Sequence, residues 1–294
     1  MKTRLKILWL QGVTCNGNTH SFLNYPHLTY ILERFEFLFH PILPSTYTLE
    51  EITTCAYECD ILVFEGGYDS RMMRINTSME TLVNHYGSHA RYVIAAGSCA
   101  SFGGMLKQSD PEHITGLGFD QKEFKGPFTQ NDKLINLSGC PIHPEWMGYT
   151  LRMIAENKPI SIDELHRPKE LYAYLAHHGC TRNEYFEWKV DAEHFGTKEG
   201  CLFYQQGCRG PMTHASCNKI LWNEVSSKTR VGSPCFGCTE PDFPRTDMFE
   251  TKTNMSIPQD VPFGISKRSY LTMAGIAKSF HIPRLEERLI DDNA

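Results

Sequence analysis

This sequence predicts an α/β fold: a parallel sheet in its first half, then an irregular, loop-rich second half. Three observations carry that prediction. Uninterrupted apolar runs, which read as strands buried on both faces, alternate with helix-forming stretches up to Asn157. Loops bearing Cys15, Glu65, Cys99 and Cys140 each follow the end of such a run. Beyond about residue 160 the periodicity stops, and Cys, Gly, Pro, His and short polar segments take its place.

Taken in order, Ile7-Leu8-Trp9-Leu10 is the first strand, ending at Gly12. Thr19 to Phe35 is helical but broken by Pro26, which cannot continue a helix without losing a backbone donor. Phe35-Glu36-Phe37-Leu38-Phe39 alternates like a strand, and Leu49 to Cys59 reads as a helix. Ile61-Leu62-Val63-Phe64 runs into Glu65-Gly66-Gly67, and Ser70 to Tyr86 is again helical. Tyr92-Val93-Ile94-Ala95-Ala96 ends at Gly97, and Leu134-Ile135-Asn136-Leu137 leads to Gly139-Cys140-Pro141. His143 to Asn157 reads as a helix. A boundary near 158–162 divides the chain into a sheet domain, 1–160, and a loop-rich domain, 161–294. The charged tail after residue 280 reads as a surface helix.

Composition narrows the function. The 294 residues suffice for one large or two ordinary domains, and the formal charge is −5. No basic stripe offers itself to nucleic acid, and no run approaches the length of a membrane span. The N-terminal apolar run is too short for a signal peptide and reads as a buried strand, with no twin-arginine signal before it; the expectation is a cytoplasmic protein. Eleven cysteines in a reducing compartment point to metal rather than disulfides. Cys55 and Cys59 are expected to share one helix face as small buried apolar residues.

Ten residues look like cluster or metal ligands, in three sets. Cys15, Cys99 and Cys140 lie just past three strand ends. Parallel sheets place their sites in the crevice beyond the carboxyl ends of their strands, so these loops converge. Glu65 joins them there. Small neighbours, Gly17, Ala100 and Gly139, leave room for a bulky inorganic group. His177, Cys180, Cys201 and Cys208 form a second set, and Cys217, Cys235 and Cys238 a third. By ligand type both suit iron–sulfur clusters or zinc. Metal binding would supply folding energy to a segment with few apolar periods. Zinc keeps a rival of another class open: a zinc-stabilised scaffold or binding protein.

Leu8-Trp9-Leu10-Gln11-Gly12, Glu65-Gly66, Gly97-x-Cys99-Ala100, Gly139-Cys140-Pro141, His177-x-x-Cys180, Gly207-Cys208-Arg209-Gly210-Pro211-x-Thr213 and Cys235-Phe-Gly-Cys238-Thr-Glu-Pro occur in one order. Together they resemble the small subunit of [NiFe] hydrogenases, over residues 7 to about 244, and within it the cytoplasmic uptake and sensory branch (group 2-like). The resemblance implies a flavodoxin-like first domain holding a proximal cluster. It implies a distal [4Fe–4S] cluster on His177, Cys180, Cys201 and Cys208, and a medial [3Fe–4S] cluster on Cys217, Cys235 and Cys238. It implies a separate large subunit that bears the nickel–iron site and covers the edge near Cys15, Glu65 and Cys99. Electrons from hydrogen would pass through three clusters to a redox acceptor or, in a hydrogen sensor, to a signalling partner. Heterodimers would assemble into a higher oligomer, either free in the cytoplasm or at the inner face of the membrane.

Two departures stand out. Asn18 occupies the place where most of that family has a second cysteine, so the proximal cluster is expected to be [3Fe–4S], or a non-standard [4Fe–4S] with Asn18, another side chain or water as an oxygen ligand. No proline lies between Cys217 and Pro234, where many members have one near the medial cluster.

Overall fold

The structure, a computed structural model, describes residues 4–55, 57–255 and 257–280. Five strands make the main sheet: β1 (Leu5–Gln11), β2 (Phe35–Phe39), β3 (Ile61–Glu65), β4 (Tyr92–Ala96) and β5 (Leu134–Leu137). All pair in parallel, in the order β2-β1-β3-β4-β5. This is the flavodoxin-like order, with its switch point between β1 and β3. The strands are apolar on both faces because helices cover both; Ile7, Leu8, Trp9, Ile61, Leu62, Val63 and Phe64 are all fully buried. Each such side chain contributes about 1.5–3 kcal/mol of transfer free energy.

Register does the work of placing the site. Gln11 pairs with Glu65, Glu65 with Ala96, and Ala96 with Leu137. Four strands therefore end flush, and the loops after β1, β4 and β5 start from one line.

The helices follow local signals. α1 (Gly17–Leu23) and α2 (Leu28–Arg34) are the two pieces left by the break at Pro26. α3 (Leu49–Thr54) opens on a complete capping box between Thr48 and Glu51. It stops earlier than expected: Cys55 is already extended, so Cys55 and Cys59 do not share a helix face. Cys55 is exposed and only Cys59 is buried. α4 (Met79–His89) begins at its Ser78 cap, not near Ser70. The residues before it, Met73–Arg74 and Thr77–Ser78, pair instead as a small antiparallel hairpin. α5 (Ser98–Phe102), α6 (Gly104–Ser109) and α7 (Pro144–Ala155) complete this part, α7 with its proline at the first turn, where no N–H is missed.

Contacts group the chain into two units, Met1–Leu171 with Thr239–Phe243, and Tyr172–Cys238 with Pro244–Ala294. Segment 160–171 belongs to the first because Asn136 in β5 binds it twice. Its backbone N–H donates to the His166 carbonyl (2.8 Å) and its side chain to the Leu165 carbonyl (2.8 Å). Arg167 holds Thr239 to the same unit through its carbonyl (3.1 Å).

The second unit has little regular structure. Among the described residues it contains the helices Asn183–Trp188, Phe203–Gln206 and Lys267–Ser279, two 3-10 turns, Ala176–Gly179 and Gly210–Met212, and one two-residue hairpin. The charged tail read as a helix lies outside the described residues. No helix among those described is long and apolar enough to cross a membrane.

Candidate metal centres

The first site is anchored on Glu65, which is fully buried at the end of β3. Its carboxyl group accepts from Trp9 Nε1 (3.0 Å), Gln11 Nε2 (3.2 Å), the backbone N–H groups of Asn18 (3.1 Å) and Thr19 (3.0 Å), and the Thr19 hydroxyl. One acceptor thus fixes the chain just after Cys15 onto the sheet. The positive end of α1 and the buried indole N–H are satisfied together.

Asn18 then ties the three cysteine loops to one another. Its Nδ2 donates to the Ala96 carbonyl (3.1 Å), at the foot of the Cys99 loop. Its Oδ1 accepts from the Ile142 N–H (2.9 Å), two residues past Cys140. Both ends of the amide are occupied, and the side chain is buried. Gly97 is required beside it: φ is +88°, and a Cβ there would stand 2.4 Å from Asn18 Nδ2. Ser98 and Gly139 add two more links, Ser98 N–H to the Gly139 carbonyl (2.9 Å) and Gly139 N–H to Ser98 Oγ (2.9 Å).

Within this frame Cys15 is exposed, and Cys99 and Cys140 are half-buried. A Cβ on Gly17 would come within 3.3 Å of Cys15 Sγ, and one on Gly104 within 3.1 Å of Cys99 Sγ, so both glycines keep space beside sulfur. Burial, and then the neighbouring Cys15 sulfur, push the Cys99 thiol up. A buried thiol beside a second sulfur becomes a thiolate readily only with a cation at hand, which is what iron would supply.

In the second unit His177, Cys180, Cys201 and Cys208 line one small cavity, with Arg182, Phe203 and Gly210. The 3-10 turn Ala176–Gly179 presents His177 and delivers Cys180 directly after it. Cys208 follows Gly207, whose φ of +66° turns the chain out of a helix end. Burial lowers the His177 pKa to about 4, so the imidazole is neutral, the form that binds metal. Its ring packs edge-on against Phe186 at 4.5 Å. Burial pushes the Cys201 thiol up to about 12 and raises Cys208 well above the usual thiol range. Backbone N–H groups point at these sulfurs: Arg182 to Cys180 (3.4 Å), Phe203 to Cys201 (3.4 Å) and Cys235 to Cys208 (3.3 Å).

Arg182 was not legible in the sequence as part of this site. Its buried guanidinium donates to the carbonyls of Thr229 (2.7 Å), Gly200 (2.8 Å) and Thr197. It thereby pins three loops around Cys180 and Cys201. An arginine two residues after a ligand cysteine was the one available signal.

Cys217, Cys235 and Cys238 form the third group. Burial first, then the other two sulfurs, raise the Cys217 thiol to about 12; burial and Cys238 raise Cys235 to about 11. Lys228 opposes this. Its Nζ lies 4.0 Å from Cys238 Sγ, and its charge also favours the thiolates of Cys217 and Cys235. Gly210 lies where the second and third groups meet: a Cβ there would be 3.5 Å from Cys208 Sγ and 3.8 Å from Cys235 Cβ.

Among the described residues no three or more His, Cys, Asp or Glu side chains are gathered tightly enough for a single metal ion. A cluster needs a wider cradle, because its ligands attach to different irons.

Comparison with known proteins matches two stretches of the chain. Residues 172–250 match the model of the C-terminal region of NiFe/NiFeSe hydrogenase small subunits, and residues 15–154 that of the NADH ubiquinone oxidoreductase 20 kDa subunit. The chain is 33% identical to the periplasmic [NiFe] hydrogenase small subunit of Solidesulfovibrio fructosivorans, over 62% of this chain but only 58% of that relative. It is 28% identical to the F420 non-reducing hydrogenase I small subunit of Methanosarcina mazei, over 81% of this chain and 73% of the relative. Its fold superposes on a chain of the [NiFeSe] hydrogenase of Desulfovibrio vulgaris Hildenborough with a TM-score of 0.69 at 26% identity, covering 84% of this chain and 98% of that one.

Proposed function

Because this chain belongs to the family of [NiFe] hydrogenase small subunits, we propose that it is the electron-transfer partner of a hydrogen-oxidising large subunit. It would carry three iron–sulfur clusters. The single observation that supports this best is His177, Cys180, Cys201 and Cys208 lining one small cavity, none of these cysteines in a disulfide. Bound clusters would supply one-electron carriers; this chain's residues position them and set their surroundings.

Cys15, Cys99 and Cys140 would hold the proximal cluster. We assign it as [3Fe–4S], since the set supplies three thiolates and the Asn18 amide bridges Ala96 and Ile142. Cys217, Cys235 and Cys238 would hold a medial [3Fe–4S] cluster, with Lys228 as its counter-charge. His177, Cys180, Cys201 and Cys208 would hold a distal [4Fe–4S] cluster, less negative than a four-thiolate site because one ligand is neutral.

The large subunit would lie over the carboxyl edge of the sheet, where Cys15 is exposed. Permanent partners of this kind bury on the order of 2,000 Å² or more. We place the assembly in the cytoplasm, where thiols stay reduced until iron is loaded. Anaerobic co-purification tests the reading. It predicts a brown heteromeric complex that reduces an artificial acceptor with hydrogen; a stable, colourless monomer would contradict it.

A further inference from the structure

Arg74, in the small hairpin of Met73–Arg74 and Thr77–Ser78, is a half-buried cation without a counter-ion among the described residues. Its Nε (3.0 Å) and Nη2 (2.6 Å) donate to the Gln11 carbonyl, and Nη2 also reaches the Gly12 carbonyl (3.2 Å). Nη1 has no partner among the described residues, which leaves two N–H groups unused. Burial pulls the Arg74 pKa down, and no nearby acid pulls it back. Two carbonyl dipoles offset only part of the cost of taking a full charge out of water. A carboxylate accepting from the unused N–H pair would complete the compensation.

The residues on either side of Arg74 are apolar and exposed, Met73 at 53% and Ile75 at 48%. Ile75 holds φ at +55°, where a β-branched side chain is rare and Gly is the unstrained choice. Thr77 fixes the hairpin from its other strand, its hydroxyl donating to the Thr53 carbonyl (2.9 Å). The hairpin also borders the proximal site. Gln11, whose carbonyl Arg74 grips, sends its side-chain amide to Asn16 Oδ1 (2.8 Å), one residue past Cys15, and to Glu65 (3.2 Å). Met105, 44% exposed, lies in α6, and its N–H and that of Leu106 point at the Cys99 sulfur. Met and Arg are enriched at the buried centres of protein interfaces, whereas Lys and Glu are depleted there.

Resting on the reading that a large subunit covers this edge, we propose that the Met73–Ser78 hairpin is a docking element for that subunit, and that it receives a carboxylate at Arg74 between the apolar side chains of Met73 and Ile75. Assembly would desolvate the ion pair. Arg74 would then tie the docked partner to the Cys15 loop through Gln11 and Asn16.

The experiment uses the anaerobically purified complex, immobilised by a tag on the large subunit, and times the loss of this chain. Arg74→Met should speed that loss by about thirtyfold or more, as expected when one partner of a buried charge pair is removed. Arg74→Lys, which keeps the charge, should speed it less. Ile75→Gly should speed it by about tenfold, the worth of one buried aliphatic side chain. Hydrogen exchange of the hairpin should not rise in Ile75→Gly, because glycine suits that φ; a purely structural Ile75 would lose protection instead. Ile75→p-benzoylphenylalanine, irradiated in the complex, should crosslink to the large subunit. Loss rates within about twofold of the parent for both Arg74→Met and Ile75→Gly, or crosslinks to a second copy of this chain, would overturn the docking element and leave the complex standing. A parent preparation that captures none of this chain on the large subunit would sink the partner reading and the docking element together.

Discussion

Glu65 and Arg182 are counterparts in two differently built regions. Glu65 collects five donors at the end of a finished sheet, and every one of them comes from the first unit's own framework. Arg182 gives its donors to three carbonyls in loops that no sheet supports. The bonds nearest the cysteines can be compared in the same way. Around Cys15, Cys99 and Cys140 links run loop to loop, through Asn18, Ser98 and Gly139, and the backbone N–H groups of Leu106 and Met105 reach the Cys99 sulfur as well. Around Cys180, Cys201 and Cys208 they run from backbone N–H groups to sulfur itself. The first unit thus sets its cysteine loops on the ends of a finished sheet, while the loops of the second are held by one buried arginine and by bonds to sulfur.

Removing the clusters tests this difference most severely. Oxidative stripping of the complex, followed by hydrogen exchange, should leave amides of β1, β3 and β4 protected. Amides between residues 176 and 238 should lose several orders of magnitude of protection, because structural metal sites can carry on the order of 10 kcal/mol of folding free energy. Equal loss in both units would erase the distinction.

Single substitutions come next in size. Glu65→Ala strands a buried indole N–H and two backbone N–H groups and should cost about 3–5 kcal/mol. The loss should fall on the first unit. Arg182→Met should cost a similar amount, but in the second unit, and should be rescued in part by bound clusters. Denaturant midpoints with exchange mapping would assign each loss to its unit.

A pH effect should be readable in the first unit through one histidine. His40 is buried among Trp9, Phe22 and Phe37, and its Nδ1 accepts from the N–H groups of Ile42 (3.1 Å) and Leu43 (3.0 Å). Burial lowers its pKa to about 4. The unfolded chain binds this proton near pH 6.5, so stability is intact above that value and declines as pH falls toward 4. The total is about 3 kcal/mol. His40→Asn keeps an acceptor for the two N–H groups and should flatten this part of the stability profile.

The smallest expected effect is at Lys228. Lys228→Met removes a positive charge 4.0 Å from Cys238 Sγ. The medial cluster's potential should fall, on the order of 60 mV for a tenfold change in a one-electron equilibrium. Lys228→Arg should restore most of it. An unchanged potential would make Lys228 a packing residue only.

The contrast also explains what could be read from the chain alone. Each strand of the sheet was legible because burial on both faces demands an unbroken apolar run, and the strand ends located Cys15, Glu65, Cys99 and Cys140. Residues 70–78 were misread as helix since their polar and apolar residues fit a helical period, while the decisive signal, the Ser78 cap, is a single residue. The ends of α3 were obscured in the same way, which misplaced Cys55. Asn18 looked like a missing ligand because its real partners, Ala96 and Ile142, are distant in sequence. Lys228 and Arg182 were illegible for that reason too: their roles depend on loops that only the fold brings together.

The central claim is that three ligand groups hold three clusters, the proximal one on three thiolates with Asn18 as a strut. Mössbauer quantification of the anaerobic, iron-57-enriched complex tests it directly. Two [3Fe–4S] clusters and one [4Fe–4S] cluster on this chain predict about ten irons beyond the one in the nickel–iron site. Loss of the Asn18 amide in Asn18→Ala should loosen the proximal site without altering the type of the other two clusters. Stoichiometric zinc in place of iron, or a proximal [4Fe–4S] signal whose unique iron changes when Asn18 is replaced, would contradict the account.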